Sequence, residues 1–125
     1  MGEPVRVKVE KALKEMFDRI STEASAAVLA SSDGLVVAYL TPPDVEPRIV
    51  AAQIAALRGM AERMMDRVGA GSFNRAILGG SNGDVVVIKG EELLLGLLLK
   101  KGANLGLVML EAESSIKRLE EALRG

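Results

Sequence analysis

The sequence predicts an α/β fold of the α+β type: a five-stranded, mainly antiparallel sheet held between helices in three layers. Three observations predict it. Segments with helical periodicity stand at both ends and in the middle, and short aliphatic runs lie between them. Tight glycine-containing turns join successive runs, which makes neighbouring strands antiparallel. The run Leu93 to Leu99 reads LLLGLLL with no polar alternation, so helices must cover both faces of the sheet there. The predicted order is helix, strand, strand, helix, strand, strand, strand, helix, in one domain spanning 1–125.

The first helix runs from Val5 to Ser21, with Val5, Val9, Leu13, Met16 and Ile20 as its apolar stripe. Glu10 with Lys14 and Glu15 with Arg19 are expected to pair one turn apart. From Ser25 the period changes. AAVLASS, Asp33-Gly34 and LVVAYLT make a hairpin signal, and Asp-Gly suits a type I′ turn with φ > 0 at both central residues. Asp33 is therefore read as a turn residue and not as a catalytic carboxylate.

Pro42-Pro43 interrupts both helix and strand, and Asp44 is the expected N-cap of the helix that follows. In the stretch Asp44 to Val68, the residues Val50, Ile54, Leu57, Ala61, Met64 and Val68 recur at helical spacing and are expected to face the core. The opposite side is divided. Its first half carries Ala52, Ala55, Ala56 and Gly59, and its second half carries Glu62, Arg63, Asp66 and Arg67. Ala fills many helix surfaces because it is the best helix former. Gly59 does not fit that explanation, since an interior Gly costs about 0.5–1 kcal/mol relative to Ala. A smooth small-residue half instead marks a surface that another backbone can approach.

Gly69 is expected to end this helix. The Gly69-Ala70-Gly71-Ser72 link lacks the Gly-Lys-Ser/Thr ending of a phosphate loop and follows a helix, not a strand. Phe73 to Gly80 reads as the third strand, with Phe73, Arg75 and Ile77 on one face and Ala76 and Leu78 on the other. Ser81-Asn82-Gly83-Asp84 forms a turn and Val85 to Ile88 the fourth strand. After Leu93–Leu99, Asn104 caps the last helix, whose stripe is Leu105, Val108, Met109, Ala112, Ile116, Leu119 and Leu123. Glu113 with Lys117 and Glu120 with Arg124 are expected as further pairs on its surface.

Composition narrows the function. With 125 residues the chain can bury a core without disulfides or metals. Aromatics are 2% of the chain, so that core is aliphatic. A formal net charge of −1 argues against nucleic acid or an anionic membrane as main partner. There is no cysteine and no histidine, which excludes thiolate or imidazole metal sites and Ser–His or Cys–His catalysis. The carboxylates fall at turns or helix surfaces, and no two are placed as a desolvated acid–base pair. The chain is expected to be a non-enzyme, without cofactor or metal. No apolar run is long enough to span a membrane and no signal peptide is visible, so a cytoplasmic location without membrane insertion is expected.

The residues also carry a family resemblance. Ala27-Val28-Leu29-Ala30-Ser31, the Asp33-Gly34-Leu35-Val36 turn and Ala51-Ala52 are three of its parts. Gly83-Asp84-Val85-Val86-Val87, the Leu93–Leu99 run and Gly102-Ala103-Asn104-Leu105-Gly106 complete it. In order and spacing the chain resembles the Roadblock / dynein-light-chain domain family over nearly its whole length. The resemblance implies a homodimer in which the long central helix packs on its twin and the third strand pairs with its own copy. It also implies a partner, scaffold or activator of a small Ras-like GTPase that contributes no catalytic residue. The alternative is a dimerisation adaptor for a larger motor or signalling complex, with no effect on nucleotide turnover.

On this reading Ala52, Ala55, Ala56, Gly59, Phe73, Arg75 and Ile77 form the dimer interface, and Arg58, Glu62, Arg63, Asp66 and Arg67 face the outside partner. The residues support the edge pairing: Arg75 is the only charge in a strand that would otherwise expose Ile77-Leu78 as a template. Arg58, Arg63 and Arg67 are read as solvated side chains pairing with Glu62 and Asp66, and not as arginine fingers.

Overall fold

The structure, a computed structural model, describes residues 2–125. Helix α1 (Val5–Arg19) precedes the hairpin β1 (Ala24–Ser31) and β2 (Val36–Leu40). Helix α2 (Pro47–Arg67) leads into β3 (Arg75–Gly80), β4 (Gly83–Lys89) and β5 (Leu93–Lys100), and α3 (Leu105–Arg124) closes the chain. The expected order of elements is therefore the observed one. The sheet runs β2-β1-β5-β4-β3, and every neighbouring pair is antiparallel. β5, the last strand in sequence, sits at the centre, and β2 and β3 are the edges.

Strand alternation divides β5 between two cores. Leu93, Leu95, Leu97 and Leu99 pack with Val9, Leu13, Met16 and Ile20 of α1 and its C-terminal end, and with Val108, Ala112, Ile116 and Leu119 of α3. Leu94 faces the other way, with Val28, Ala30 and Val87, against Ala51 and Ile54 of α2. Two helices thus cover one face and one helix the other, which is the three-layer arrangement that LLLGLLL requires.

The glycine inside LLLGLLL has a packing reason. Gly96 pairs with Val28 on one side and Val87 on the other, and a β-carbon there would overlap Cδ1 of Ile54. Ile54 is 3% exposed and seats its side chain on the bare backbone of β5. A glycine in a strand interior marks such a close approach.

Several local expectations are corrected. The β1–β2 turn is not type I′, because only Gly34 has positive φ (85°) and no non-glycine residue does among the described residues. Ser31 N–H donates to Leu35 O at 2.9 Å and Gly34 N–H to Ser31 O at 3.0 Å, so the loop is one residue longer than a two-residue turn. The N-cap of α2 is Glu46, not Asp44: its carboxylate accepts from Arg48 N–H at 3.2 Å, with Pro47 in the first helical position. β3 begins at Arg75, two residues later than expected. At the other end of α2, Ala70 N–H donates to Met65 O at 2.8 Å and Gly69 N–H to Asp66 O at 3.1 Å, with Gly69 at φ 69°. That is a Schellman ending at the expected glycine.

The pairs expected on helix surfaces mostly bridge elements instead. Arg19 pairs with Glu111 of α3, Glu113 with Arg75 of β3 at 2.6 Å, and Arg124 with Glu91 and Glu92 of the β4–β5 turn. Glu120 is 4% exposed and has a different role altogether. Its carboxylate accepts from the backbone N–H groups of Glu91, Glu92 and Leu93, and a β-carbon at Gly90 would come within 2.6 Å of it. A buried side chain on α3 therefore satisfies the turn that delivers β5 to the centre of the sheet.

Two stability experiments follow. Gly96→Ala should destabilise by roughly 1–3 kcal/mol in chemical denaturation, as overpacked cores do. Adding Ile54→Val should return part of the loss, and a double-mutant cycle measures the coupling. Glu120→Ala should cost about 2 kcal/mol or more, because it orphans buried N–H groups. Glu120→Gln, which keeps one acceptor oxygen, should cost less.

Candidate interaction surface

The surface of α2 follows from the unequal covering of the sheet. A helix is about 10 Å across, whereas five strands at about 4.8 Å spacing span nearly twice that width. Helix α2 lies over β1, β2 and β5, and the β3 side of this face is left open. Leu78 of β3, which points to this side, is 47% exposed. Between it and α2 lies an apolar groove of ≈430 Å³ whose walls include Val50, Leu57, Leu78, Val85 and Leu98.

Beside this groove, α2 presents Ile49, Ala56, Met60 and Met64 at intervals of seven, four and four residues, on one side of the helix. Ile49 is 59%, Met60 56% and Met64 68% exposed. Met64 and Val68, expected in the core, thus lie outside it. The core contacts of the second half of α2 are made by half-buried Leu57, Ala61 and Met65. The periodicity of Val50, Ile54 and Leu57 continues into the last turns, but the sheet beneath does not.

The residues expected at a twin interface separate into groups. Ala52 and Ala56 are exposed, while Ala55 and Gly59 are half-buried. Part of this small face is used by the chain itself: a β-carbon at Gly34 would lie 3.2 Å from Ala55 Cβ and 3.3 Å from Ala52 Cα, so the β1–β2 turn sits against these alanines. Phe73 does not belong with Arg75 and Ile77. It is 3% exposed and packs in the α2-side core with Ile54 and Val87, because the chain before β3 dips under α2. Arg75 reaches Glu113 on the α3 side, and Ile77, two residues on, lies on the same sheet face at 45% exposure.

The charged end of α2 is built around Glu62. Its carboxylate accepts from Lys89 Nζ at 2.9 Å and lies 3.5 Å from Arg58 Nη2. The Lys89 hydrogen bond, with the Arg58 charge added, holds the Glu62 carboxyl below the usual carboxylate range. Arg58 Nε is buried without a hydrogen-bond partner. Glu62, Arg63, Asp66 and Lys89 line a hollow of ≈590 Å³ together with Gly71, Ser72 and Phe73. Arg67 is exposed and does not line it. The pairing expected between the arginines and acids of α2 holds for Arg58–Glu62 only. Arg63, Asp66 and Arg67 make no ion pair among the described residues.

Sequence reasoning missed Met60 and Ile49 as surface apolar residues, and Lys89 as the partner of Glu62, whereas the exposure of Leu78 is as expected. Ile49, Met60 and Met64 carried a signal, since they form a second apolar line beside the Val50–Ile54–Leu57 stripe. Among the described residues no cluster of three or more acidic side chains could hold a metal ion, and no helix is long and apolar enough to cross a membrane.

A family model described as the Roadblock/LC7 domain matches residues 9–99, from α1 through most of β5. The chain belongs to the Roadblock/LC7 family. An uncharacterized protein of Methanocaldococcus jannaschii is 26% identical over 111 residues, covering 84% of this chain and 97% of that relative. Among solved structures, Myxococcus xanthus MglB superposes with a TM-score of 0.86 at 15% identity, covering 99% of this chain and 93% of its own. A chain described as MglB with tetrameric arrangement gives 0.83 at 22% identity, over 98% and 96%. At these identities the two structural likenesses establish a shared fold, and that likeness includes α3.

The Glu62 site can be tested by titration. In Lys89→Met, NMR should show the Glu62 carboxyl titrating at higher pH than in the parent protein. A depressed folded-state pKa adds stability that is present above the usual carboxylate range and is lost as pH falls through the depressed value. The stability gap between the parent and Glu62→Gln should therefore be largest near neutral pH and close in acid.

Proposed function

We propose that this Roadblock/LC7 protein is a homodimeric, non-enzymatic regulator or scaffold that binds a small Ras-like GTPase and modulates its GTP hydrolysis. The observation that carries the dimer is the unfinished α2 face. The groove beside Leu78, the Ile49–Met60–Met64 line and the edge of β3 adjoin one another, and β3 offers a partner strand only Arg75 as a deterrent charge. A two-fold axis near this edge brings β3 to its copy and the exposed apolar side of α2 to its twin, closing the assembly at two chains. Ala52 and Ala56 permit close approach of the second helix, while Ala55 and Gly59 stand at its margin.

The GTPase reading rests on membership of the Roadblock/LC7 family and the resemblance noted in the sequence. Glu62, Arg63, Asp66 and Arg67 supply the charged surface for it. Three of these, Arg63, Asp66 and Arg67, make no ion pair among the described residues, so they can pair with a partner. Regulation on this surface proceeds by holding the GTPase's own residues in place, with no group from this chain entering the chemistry.

Light scattering should give the mass of a dimer at micromolar concentration. Met60→Glu and Ala56→Glu, both at exposed positions, should weaken the dimer about 100-fold or more, equivalent to ~2.7 kcal/mol, and leave the circular dichroism spectrum intact. Ras-like GTPases from the same genome should be assayed for binding and hydrolysis with and without the protein. Binding with a changed rate supports regulation, binding without one supports a tether, and no binding to any rejects the partner assignment.

A further inference from the structure

The opposite edge of the sheet carries a second site. Strand β2 pairs only with β1, and its outer side is free among the described residues. A cleft of ≈810 Å³ runs along it, within the range of about 300–1,000 Å³ typical of ligand sites. Its floor is Val36 to Tyr39, one wall is Arg6 and Glu10 of α1, and the other is Glu46, Pro47 and Arg48 at the start of α2. The strand sequence VVAYL contains no proline, glycine or charge to discourage pairing. The register shift between Leu29 and Ala30 places a bulge at Val37, which leaves Ala38 to Leu40 as the regular stretch. Tyr39 is 54% exposed.

We infer that the β2 edge binds an extended peptide segment of a partner protein by strand addition, and that the segment carries acidic and basic side chains in equal number. Three features select this occupant. A free, uncharged edge offers backbone hydrogen bonds that only an extended chain satisfies in series. The walls then read its side chains, because successive residues of an added strand point alternately to the α1 wall and the α2 wall. Each wall presents one guanidinium and one carboxylate, so the complementary strand has one acid and one base on each face. On the α1 wall the spacing agrees: Arg6 and Glu10 are four helical residues apart, a rise of about 6 Å, close to the ~6.7 Å between alternate residues of a strand.

The Arg6 and Glu10 side chains are 82% and 57% exposed at 3.7 Å from each other, a loose pair that can exchange partners. Because β2 and β3 end opposite sides of the sheet, a peptide here leaves the β3 edge and the groove beside α2 accessible.

The test uses the isotope-labelled full chain and two capped hexapeptides, Val-Lys-Lys-Glu-Glu-Val and its reverse, which cover both strand directions. Amide shifts should concentrate at Val36 to Leu40, and hydrogen exchange of the outward amides there should slow about tenfold or more. The same peptides with N-methylated backbones, and an all-Glu analogue, should bind at least about tenfold more weakly. So should the parent peptides with the Arg6→Glu, Arg48→Glu double variant. Shifts that map instead to α2 or β3, equal binding by the N-methylated peptides, or no shift at millimolar peptide would overturn the proposal. Concentration-dependent growth beyond the dimer that is broken by Tyr39→Lys would also overturn it, since a second copy would then be the occupant.

Discussion

The seating of Ile54 on Gly96 is the contact on which the rest of the architecture depends. β5 is the central strand and is buried on both faces, so whatever covers its α2 side must come close without displacing β1 or β4. A side chain at position 96 would hold α2 away from the sheet, and the Val28, Val87 and Leu94 layer would lose its partner. With no side chain there, one isoleucine closes the gap and fixes the height of α2 above the sheet. The turn glycine Gly34 can then reach Ala52 and Ala55, so α2 is held by two close approaches, one from β5 and one from the β1–β2 turn.

That arrangement has a consequence at the margin. A single helix centred on β1 and β5 cannot also shield β3, and α1 and α3 on the opposite face leave Ile77 of β3 exposed as well. Part of the exposed apolar surface consequently gathers on the α2 side, around Leu78, Met60 and Met64, while Leu35, Tyr39 and Leu110 are exposed elsewhere. Charged groups occupy the other flank of α2, where Lys89 and Arg58 hold Glu62 in place. On the function proposed above, self-association and partner recognition use adjacent sides of the same helix. The β2 edge, bounded by the starts of α1 and α2, stands apart from both.

Much of this architecture is legible in the sequence. Period and turn chemistry located all eight elements, because each signal is local: the stripe of α1, the Asn104 cap, the Gly69 ending and the two-sided burial of LLLGLLL. The misplacements have a common cause. Phe73 resembled a strand residue, and Met64 and Val68 resembled core residues, because local patterns do not report where the sheet ends beneath a helix. Likewise Glu120 was indistinguishable from a solvated partner of Arg124 until the β4–β5 turn was seen to lie over it. The residues expected on α2 as interface therefore divide between exposed positions such as Ala52 and Ala56 and half-buried ones such as Ala55 and Gly59.

What the sequence by itself determined was the set of elements, their order, the demand for helices on both faces of the sheet, and the exclusion of thiol and imidazole chemistry. These depend on periodicities and residue types that act over a few positions. The tertiary structure alone decided that β5 would be central, that Ile54 would find Gly96, and that the covering of the α2 face would stop short of β3. Those outcomes depend on distances between segments far apart in the chain, where packing and the fixed width of a helix settle which side chains remain in water.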